Sequence, residues 1–166
     1  MRALPHVDPH ARRGPVYRAF ASVSATRLGV LLSRWILWKL DPHVLRLTGG
    51  RVGMTLVIPS ALLETRGAKT GAVRRNGVIY FHDGDRVTLV ASKLGMPENP
   101  SWFHNLCANP DVVFGGESFR AQVVEDDPER ARLFALGDQV FPPYAIYRER
   151  AAAAGRTIPI VQLLPR

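Results

Sequence analysis

Two short polar turns, separated by an apolar run, carry the residue types best suited to chemistry in this 166-residue chain. The first is Gly67-Ala68-Lys69-Thr70-Gly71, followed closely by Arg74 and Arg75, and the second is Ala91-Ser92-Lys93-Leu94-Gly95. Glycines let backbone amides approach an anion closely, and Lys and Arg add charge-assisted hydrogen bonds to phosphate or carboxylate. The pattern predicts a site for an anionic cofactor. A β-hairpin that uses Gly and Lys only for its turn and for solubility is the alternative.

Aromatic side chains supply the other groups with chemical potential. Trp102 and Phe103 can stack on a planar ring, and core packing of the same side chains is equally compatible with their spacing. Tyr144 and Tyr147 lie three residues apart on one predicted helix, so both phenols can donate hydrogen bonds into one cavity. Aromatic packing with the hydroxyls in water remains the alternative for this pair.

Other reaction classes find little support in the chain. It contains no Gly-x-Ser-x-Gly elbow, no His-Glu-x-x-His zinc motif and no Walker-type phosphate loop. Cys107 is the single cysteine, so an internal disulfide and a cysteine-rich metal site are both excluded. We predict no metal site, a structural role for His104 and a solvated position in a turn for His82.

Composition and charge indicate one globular domain with a basic surface. Hydrophobic residues make up 46% of the chain, and the formal net charge is +8. Such a surface favours anionic partners in general. The basic residues are scattered along the chain and accompany no zinc-finger, helix-turn-helix or RNA-binding motif, so nucleic acid is not expected as a partner. Met1 to Pro15 has no apolar core typical of a signal peptide, and a cytoplasmic location is expected.

The first 47 residues are predicted to lie apart from the main domain. Residues 1–14 read as a flexible leader, and a helical segment is expected over 15–47, with its helix from about Pro15 to Lys39. Its apolar stretch, Leu28 to Leu40, is shorter than the roughly 20 residues that span a bilayer. Packing on the core and peripheral contact of residues 15–40 with the inner face of a membrane are both open.

Residues 48–166 are predicted to form an antiparallel α+β barrel, because the strands follow one another through tight turns without a crossover helix between each pair. Helices are expected to begin near Pro100-Ser101, at Asp127 as the capping residue, and again around Tyr144. The predicted strands are Ala61 to Thr65, Val73 to Phe81, Arg86 to Ala91, Val112 to Phe114, Phe119 to Val124 and Ile158 to Leu164.

The order and spacing of several short motifs in this domain resemble one known family. They extend from Leu63-Glu64-Thr65-Arg66-Gly67 through Pro100-Ser101-Trp102-Phe103-His104-Asn105-Leu106 and Phe141-Pro142-Pro143-Tyr144 to Ile158-Pro159-Ile160-Val161. Together they are similar to the deazaflavin-dependent nitroreductases, small split β-barrel proteins that use coenzyme F420. The resemblance covers about Thr48 to Pro165. It implies a split barrel of mainly antiparallel strands flanked by helices, with a helix before it.

The resemblance also implies roles for individual residues. The phosphate and acidic tail of coenzyme F420 would be held by Lys69, Arg74 and Arg75, with Thr70 and Gly71 lining that turn. The deazaflavin ring would be bordered by Ala91, Ser92, Lys93, Trp102 and Asn105. Ser92, Tyr144 and Tyr147 would orient the electron acceptor and donate a proton.

The reaction implied is hydride transfer from reduced F420 to a small-molecule electrophile such as a quinone, an activated alkene or a nitro compound. Three departures from the family pattern involve four positions: Asn76-Gly77 replaces Thr-Pro, Leu94 replaces a glycine, and Phe141 replaces a tyrosine found in some active members. An FMN-binding reductase and a non-catalytic carrier of a cofactor or lipophilic ligand are the competing hypotheses for this fold. The oligomeric state is open between a monomer and a homodimer.

Overall fold

The computed structural model describes residues 4–12, 14, 15, 17 and 58–166. Residues 58–166 contain a closed six-stranded barrel in which the strand order is β1-β2-β3-β6-β5-β4 and every neighbouring pair is antiparallel. The predicted α+β barrel is thereby confirmed. The strands are β1 Ser60–Arg66, β2 Val73–Asp83, β3 Arg86–Val90, β4 Asp111–Phe114, β5 Glu117–Val123 and β6 Ile160–Pro165.

Three α-helices accompany the barrel in this part of the chain: α1 Ser101–Ala108, α2 Asp127–Val140 and α3 Pro143–Ala153. A short 3-10 turn, Lys93–Gly95, follows β3. The side chain of Asp126 caps α2 by accepting a hydrogen bond from the Glu129 amide at 2.9 Å. The cap therefore lies one residue before Asp127, the predicted position, because only the side chain of a residue outside the helix faces the free amides of the first turn.

Alternation along the strands places one set of side chains inside the barrel. Leu63 on β1 lies opposite Phe114 on β4, and both are fully buried. Phe81 on the outer side of β2 lies opposite Thr88, and α2 covers this face, with Gly137 against the Phe81 ring. Strand β3 is consequently buried on both faces from Val87 to Val90, which explains its continuous apolar sequence.

Strand β2 serves two partners in succession. Its first part, from Val73 to Ile79, pairs with β1, and its last part, from Tyr80 to Asp83, pairs with β3. An eleven-residue strand is long enough to divide its length in this way. The first half of β2, from Val73 to Ile79, therefore has no β3 partner along its second edge.

The N-terminal residues that the structure describes are attached to the barrel. Leu4 donates to Glu117, the Tyr80 hydroxyl donates to the Pro5 carbonyl at 2.9 Å, and the Val7 amide donates to His82 Nδ1 at 3.0 Å. A flexible leader was predicted for residues 1–14, whereas residues 4–7 are held in place. His82 is buried at the end of β2 rather than solvated in the turn, because this segment covers it.

The predicted helix from Pro15 to Lys39 lies almost wholly outside the described residues, as does its proposed membrane contact. None of the helices in the described part of the chain has the length and apolar character that crossing a bilayer requires.

Candidate functional site

The basic turn between β1 and β2 is closed by its own backbone. Gly71 donates to the Gly67 carbonyl and Gly67 donates to the Ala72 carbonyl, each at 2.8 Å. Gly71 has φ +68°, a left-handed conformation that glycine adopts without steric cost. Lys69 and Thr70 are exposed on this loop. The Lys69 side chain is therefore exposed to solvent on a turn whose backbone is held by two hydrogen bonds.

Asn105 on α1 holds that turn against the barrel. Its Oδ1 accepts from the Ala68 amide and its Nδ2 donates to Thr65 Oγ1, both at 3.1 Å. Asn105 and Thr65 are buried, so these hydrogen bonds are shielded from water. Asn105, which was predicted to border the cofactor, therefore positions Ala68, the residue before Lys69.

Arg74 and Arg75 lie on opposite faces of β2, because successive strand residues alternate. Arg74 lies opposite Thr65, on the face that leads into the barrel interior, whereas Arg75 lies opposite Glu64. Arg75 pairs with Glu64 at 3.4 Å on the exposed side. Within residues 58–166, neither Lys69 nor Arg74 forms an ion pair. The structure brings Arg74 to the Asn105 side of the strand and directs Arg75 away from it.

The second predicted turn, at Ser92–Gly95, is left-handed over three successive residues. The φ angles are 46° at Lys93, 57° at Leu94 and 74° at Gly95. Two hydrogen bonds of 3.0 Å, from Gly95 to Ser92 and from Met96 to Lys93, close it. A Cβ added to Gly95 would lie 2.6 Å from the Tyr147 carbonyl oxygen. The turn therefore contacts α3 directly through a glycine that no larger residue can replace without movement.

Arg156, which the sequence did not single out, grips the same turn from the end of α3. Its guanidinium donates to the carbonyls of Ala91, Ser92 and Met96 and to Asn99 Oδ1. Desolvation lowers the pKa of Arg156, an effect that Glu98 partly opposes. Its neighbour in this cluster, Lys93, is paired with Glu98 at 3.1 Å.

Strand directions bring the predicted cofactor segments to one end of the barrel. Strand β3 runs along β2 from Asp83 towards Tyr80, which is towards the end of β2 that carries the basic turn. The Ser92–Gly95 turn continues in that direction, while Asn105 ties α1 to the basic turn from the other side. Segments 67–75 and 101–105 are thus in contact at the end of the barrel where β2 begins, and β3 leads segment 91–95 towards that end.

Tyr144 and Tyr147 lie on α3, each only 3% exposed, and the Tyr147 backbone contacts Gly95 of the second turn. With Phe141 they form an aromatic cluster whose ring centroids are 5.1 to 6.4 Å apart. Burial raises the pKa of Tyr147 to about 12. Burial also raises the pKa of Tyr144, and nearby Tyr147 and Tyr17 add to the shift. Both phenols on α3 are therefore protonated at neutral pH and can act as hydrogen-bond donors.

An ion pair holds the two outer helices together and so positions the phenols. Arg148 on α3 donates to both carboxylate oxygens of Asp138 on α2, at 2.7 and 2.6 Å. The same guanidinium lies 4.7 Å from the centre of the Phe134 ring. Trp102 on α1 is buried, with 7% of its surface exposed, and packs in the hydrophobic core. The structure therefore leaves core packing as the main observed role of that indole.

Comparison with known proteins connects this arrangement to one enzyme family. The model of the F420H2-dependent quinone reductase family matches residues 38–165. An F420H2-dependent quinone reductase of Mycobacterium tuberculosis strain H37Rv is 38% identical over 150 residues, which cover 81% of this chain and 99% of the relative. The reductase of the same description from strain CDC 1551 shows the same identity and coverage.

Solved structures agree with the fold. An F420-H2 dependent reductase, FDR-A, is 33% identical and superposes with a TM-score of 0.53, covering 61% of this chain and 90% of its own. A second structure, described as a domain-swapped dimer, is 30% identical with a TM-score of 0.57 and covers 76% and 96% of the two chains. The predicted split barrel, oxidoreductase activity and F420 cofactor are confirmed at the level of the family. The chain belongs to the F420H2-dependent quinone reductase family.

Proposed function

We propose that this protein reduces a quinone with F420H2 at the end of the barrel where β2 begins. The proposal is supported by the hydrogen bond that ties α1 to the basic turn, and by the direction of β3, which leads the left-handed Ser92–Gly95 turn towards the same end of the barrel. When bound, the coenzyme supplies a hydride and an anionic tail. The residues of this chain bind that tail, enclose the ring and donate hydrogen bonds to the acceptor.

Lys69 and Arg74 are the groups proposed to hold the phosphate and the acidic tail. Both lack an ion-pair partner in residues 58–166, so binding an anion breaks no ion pair within that part of the chain. Thr70 and Gly71 shape the same turn. Arg75 is already paired with Glu64, and we propose that it contributes to the positive potential near the turn rather than through a direct contact.

The ring is proposed to lie against the second turn. Ala91, Ser92 and Lys93 provide its border, and Trp102 and Asn105 complete the wall on the α1 side. The side-chain amide of Asn105 donates to Thr65 and accepts from Ala68, and its proposed contribution is to hold the wall in place.

Ser92, Tyr144 and Tyr147 are proposed to face the electron acceptor. An oxygen of the acceptor gains negative charge as hydride arrives, and a neutral phenol stabilises that charge by donating a hydrogen bond. The raised pKa of Tyr147, about 12, keeps its proton in place throughout the neutral range. Phe141 adds apolar surface to the same cluster, which suits a lipophilic ring.

The first test is a fluorescence titration of purified protein with F420. We expect the Lys69→Ala variant to raise the dissociation constant about tenfold, because a charge-assisted hydrogen bond is worth roughly 1.5–3 kcal/mol. Arg86→Ala is the matched control, since it removes one positive charge from the other end of β2. Tight binding of FMN without any response to F420 would contradict the proposal, as would equal weakening by both variants.

A second test separates binding from turnover. Tyr144→Phe should lower kcat with menadione as acceptor by about tenfold or more and leave F420 binding nearly unchanged, because it removes a donor needed at the acceptor. Lys69→Ala should show the reverse division between the two parameters. Binding of F420H2 without its oxidation by quinones, enones or nitroaromatics would instead favour a non-catalytic carrier.

The cellular setting and the assembly are further parts of this proposal. We propose a cytoplasmic enzyme, and the contact of residues 15–40 with the inner face of a membrane can be tested by vesicle sedimentation with and without those residues. The domain-swapped dimer among the similar structures supports a homodimer, against a monomer as the alternative. Light scattering of the purified full chain distinguishes the two. No nucleic acid partner is proposed.

A further inference from the structure

We propose that Arg156 is a positioning residue that holds the Ser92–Gly95 turn in its left-handed form and thereby sets the coenzyme wall before the coenzyme arrives. The inference rests on the proposed function, because that function makes this turn the border of the ring. The contact of Arg156 with the turn rests only on the hydrogen bonds between its guanidinium and residues 91–99.

The turn needs an external restraint because two of its residues are not glycine. Lys93 at φ 46° and Leu94 at φ 57° are the only described non-glycine residues with positive φ. L-residues with a side chain disfavour this region, since Cβ crowds the following carbonyl oxygen. Such conformations persist only where the surrounding structure enforces them.

Arg156 provides that enforcement from both ends of the turn. It binds the Ala91 and Ser92 carbonyls on the incoming side, the latter at 3.1 Å. On the outgoing side it binds the Met96 carbonyl at 2.6 Å and Asn99 Oδ1 at 2.7 Å. One planar guanidinium therefore fixes the distance between the two strands of chain that flank Lys93 and Leu94.

The end of α3 places Arg156 for this task. Gly155, at φ +71°, donates to the Ala152 carbonyl at 2.9 Å, and Arg156 donates to the Ala151 carbonyl at 2.8 Å. These two bonds form a Schellman motif, which reverses the chain at the helix end. Because the chain reverses here, the Arg156 side chain points back towards the Ser92–Gly95 turn, which packs against α3 at Gly95. Because α3 also carries Tyr147, the grip links the coenzyme wall to a phenol of the acceptor side.

The test compares Arg156→Gln and Arg156→Lys with the parent protein in an F420 titration. We expect Arg156→Gln to raise the dissociation constant about tenfold, and Arg156→Lys to recover only a small part of it, because an ammonium cannot reach four acceptors in a plane. Full recovery with lysine would show that only charge matters and would overturn the proposal. Arg130→Gln is the matched control, since Arg130 also donates to backbone carbonyls, at Val124 and Glu125, away from the turn.

A second variant tests the role of strain. In a Leu94→Gly background, only Lys93 remains as a left-handed residue with a side chain, so the turn depends less on restraint and Arg156→Gln should weaken F420 binding by only about threefold. The same tenfold factor in both backgrounds would contradict the positioning role.

Amide hydrogen exchange of the coenzyme-free protein separates this inference from the proposed function. The Gly95 and Met96 amides close the turn, and Arg156→Gln should speed their exchange about tenfold while Arg130→Gln leaves it unchanged. Unchanged exchange in Arg156→Gln overturns the grip whether or not F420 binds. A parent protein that does not bind F420, with faster exchange in Arg156→Gln, contradicts the proposed function and supports the grip.

Discussion

The two predicted cofactor turns, Gly67–Gly71 and Ser92–Gly95, keep their left-handed backbone by different means. In the Gly67–Gly71 turn, glycine occupies the one left-handed position, and the cationic side chain stays exposed. In the Ser92–Gly95 turn, lysine and leucine occupy left-handed positions, and Arg156 binds the backbone around them. The left-handed backbone of the first turn is supplied by its own glycine, whereas that of the second depends on a side chain that follows the end of α3.

This difference suggests a division of labour between flexible recognition and rigid enclosure. A solvent-exposed lysine can follow an anionic tail of variable shape, because its side chain is mobile and only its backbone is fixed. A flat ring needs a wall with little freedom, since misplacement at the reacting atoms lowers the rate steeply. The predictions below test whether the two turns differ in this way.

The largest effect is expected for Gly95→Ala. The new Cβ would collide with the Tyr147 carbonyl oxygen and occupy a left-handed position, so we expect a loss of about 3 kcal/mol in the free energy of unfolding. Denaturant titration measures it. Gly116→Ala, at φ +91° with open space around it, is the control and should lose only about 1 kcal/mol. Equal losses would show that the turn does not press on α3.

Asn105→Ala should come next. It leaves the Ala68 amide and the buried Thr65 hydroxyl without their partner, and such a loss costs about 2 kcal/mol. Because the basic turn loses its attachment to α1, F420 binding should weaken as well. His104→Ala, at an exposed position on the same helix, should change neither quantity. Retained F420 affinity in Asn105→Ala would show that the turn needs no support from α1.

Gly71→Ala should have a smaller effect on stability, about 1 kcal/mol, since open space surrounds this position and only the backbone conformation is strained. Its effect on F420 affinity should exceed that of Gly84→Ala, a left-handed glycine in the β2–β3 hairpin with equally open surroundings. Urea unfolding and coenzyme titration measure the two quantities. Identical coenzyme affinities in both variants would remove the basic turn from the site.

The smallest effect is expected from pH at the other end of β2. His82 accepts a hydrogen bond from the Val7 amide and must be neutral to do so. Burial, and then His6, lower its pKa, while Asp85 opposes them. Stability should therefore fall as pH drops below about 6.5, the ordinary pKa of histidine, because protonation of His82 is disfavoured in the folded state. His82→Gln should flatten this part of the pH profile in thermal unfolding, whereas His104→Gln should not. A pH-dependent change in F420 affinity that disappears in His82→Gln would contradict the separation of the two ends.

Local sequence signals were sufficient to predict most of the barrel. Turn residues such as Gly84 and Gly115-Gly116 separate the strands, and alternating apolar positions indicate their buried faces. The contacts of residues 4–7 with the barrel and the burial of His82 were not predicted, and both have one cause. Residues 4–7 and the end of β2 cover each other, and such a contact between segments distant in sequence leaves no local pattern.

Local signals also predict where some of the candidate site residues lie, but not which distant segments they contact. Lys69, Ser92 and Tyr144 lie on turns and on a helix whose positions follow from nearby glycines and prolines. Strand alternation could have separated Arg74 from Arg75 in advance, because neighbours on a strand face opposite sides. The contacts of Arg156 could not be predicted from local sequence. Gly155 after an alanine run indicates where α3 ends, but the carbonyls that Arg156 binds lie about 60 residues earlier in the chain.

A crystal structure of the protein with F420 bound would test the central claim most directly. We predict that the acidic tail lies within hydrogen-bond distance of Lys69 and Arg74, and that the ring lies against the Ser92–Gly95 turn with its left-handed backbone unchanged. A tail bound on the Arg75 and Glu64 face, or a ring placed away from that turn, would contradict the account.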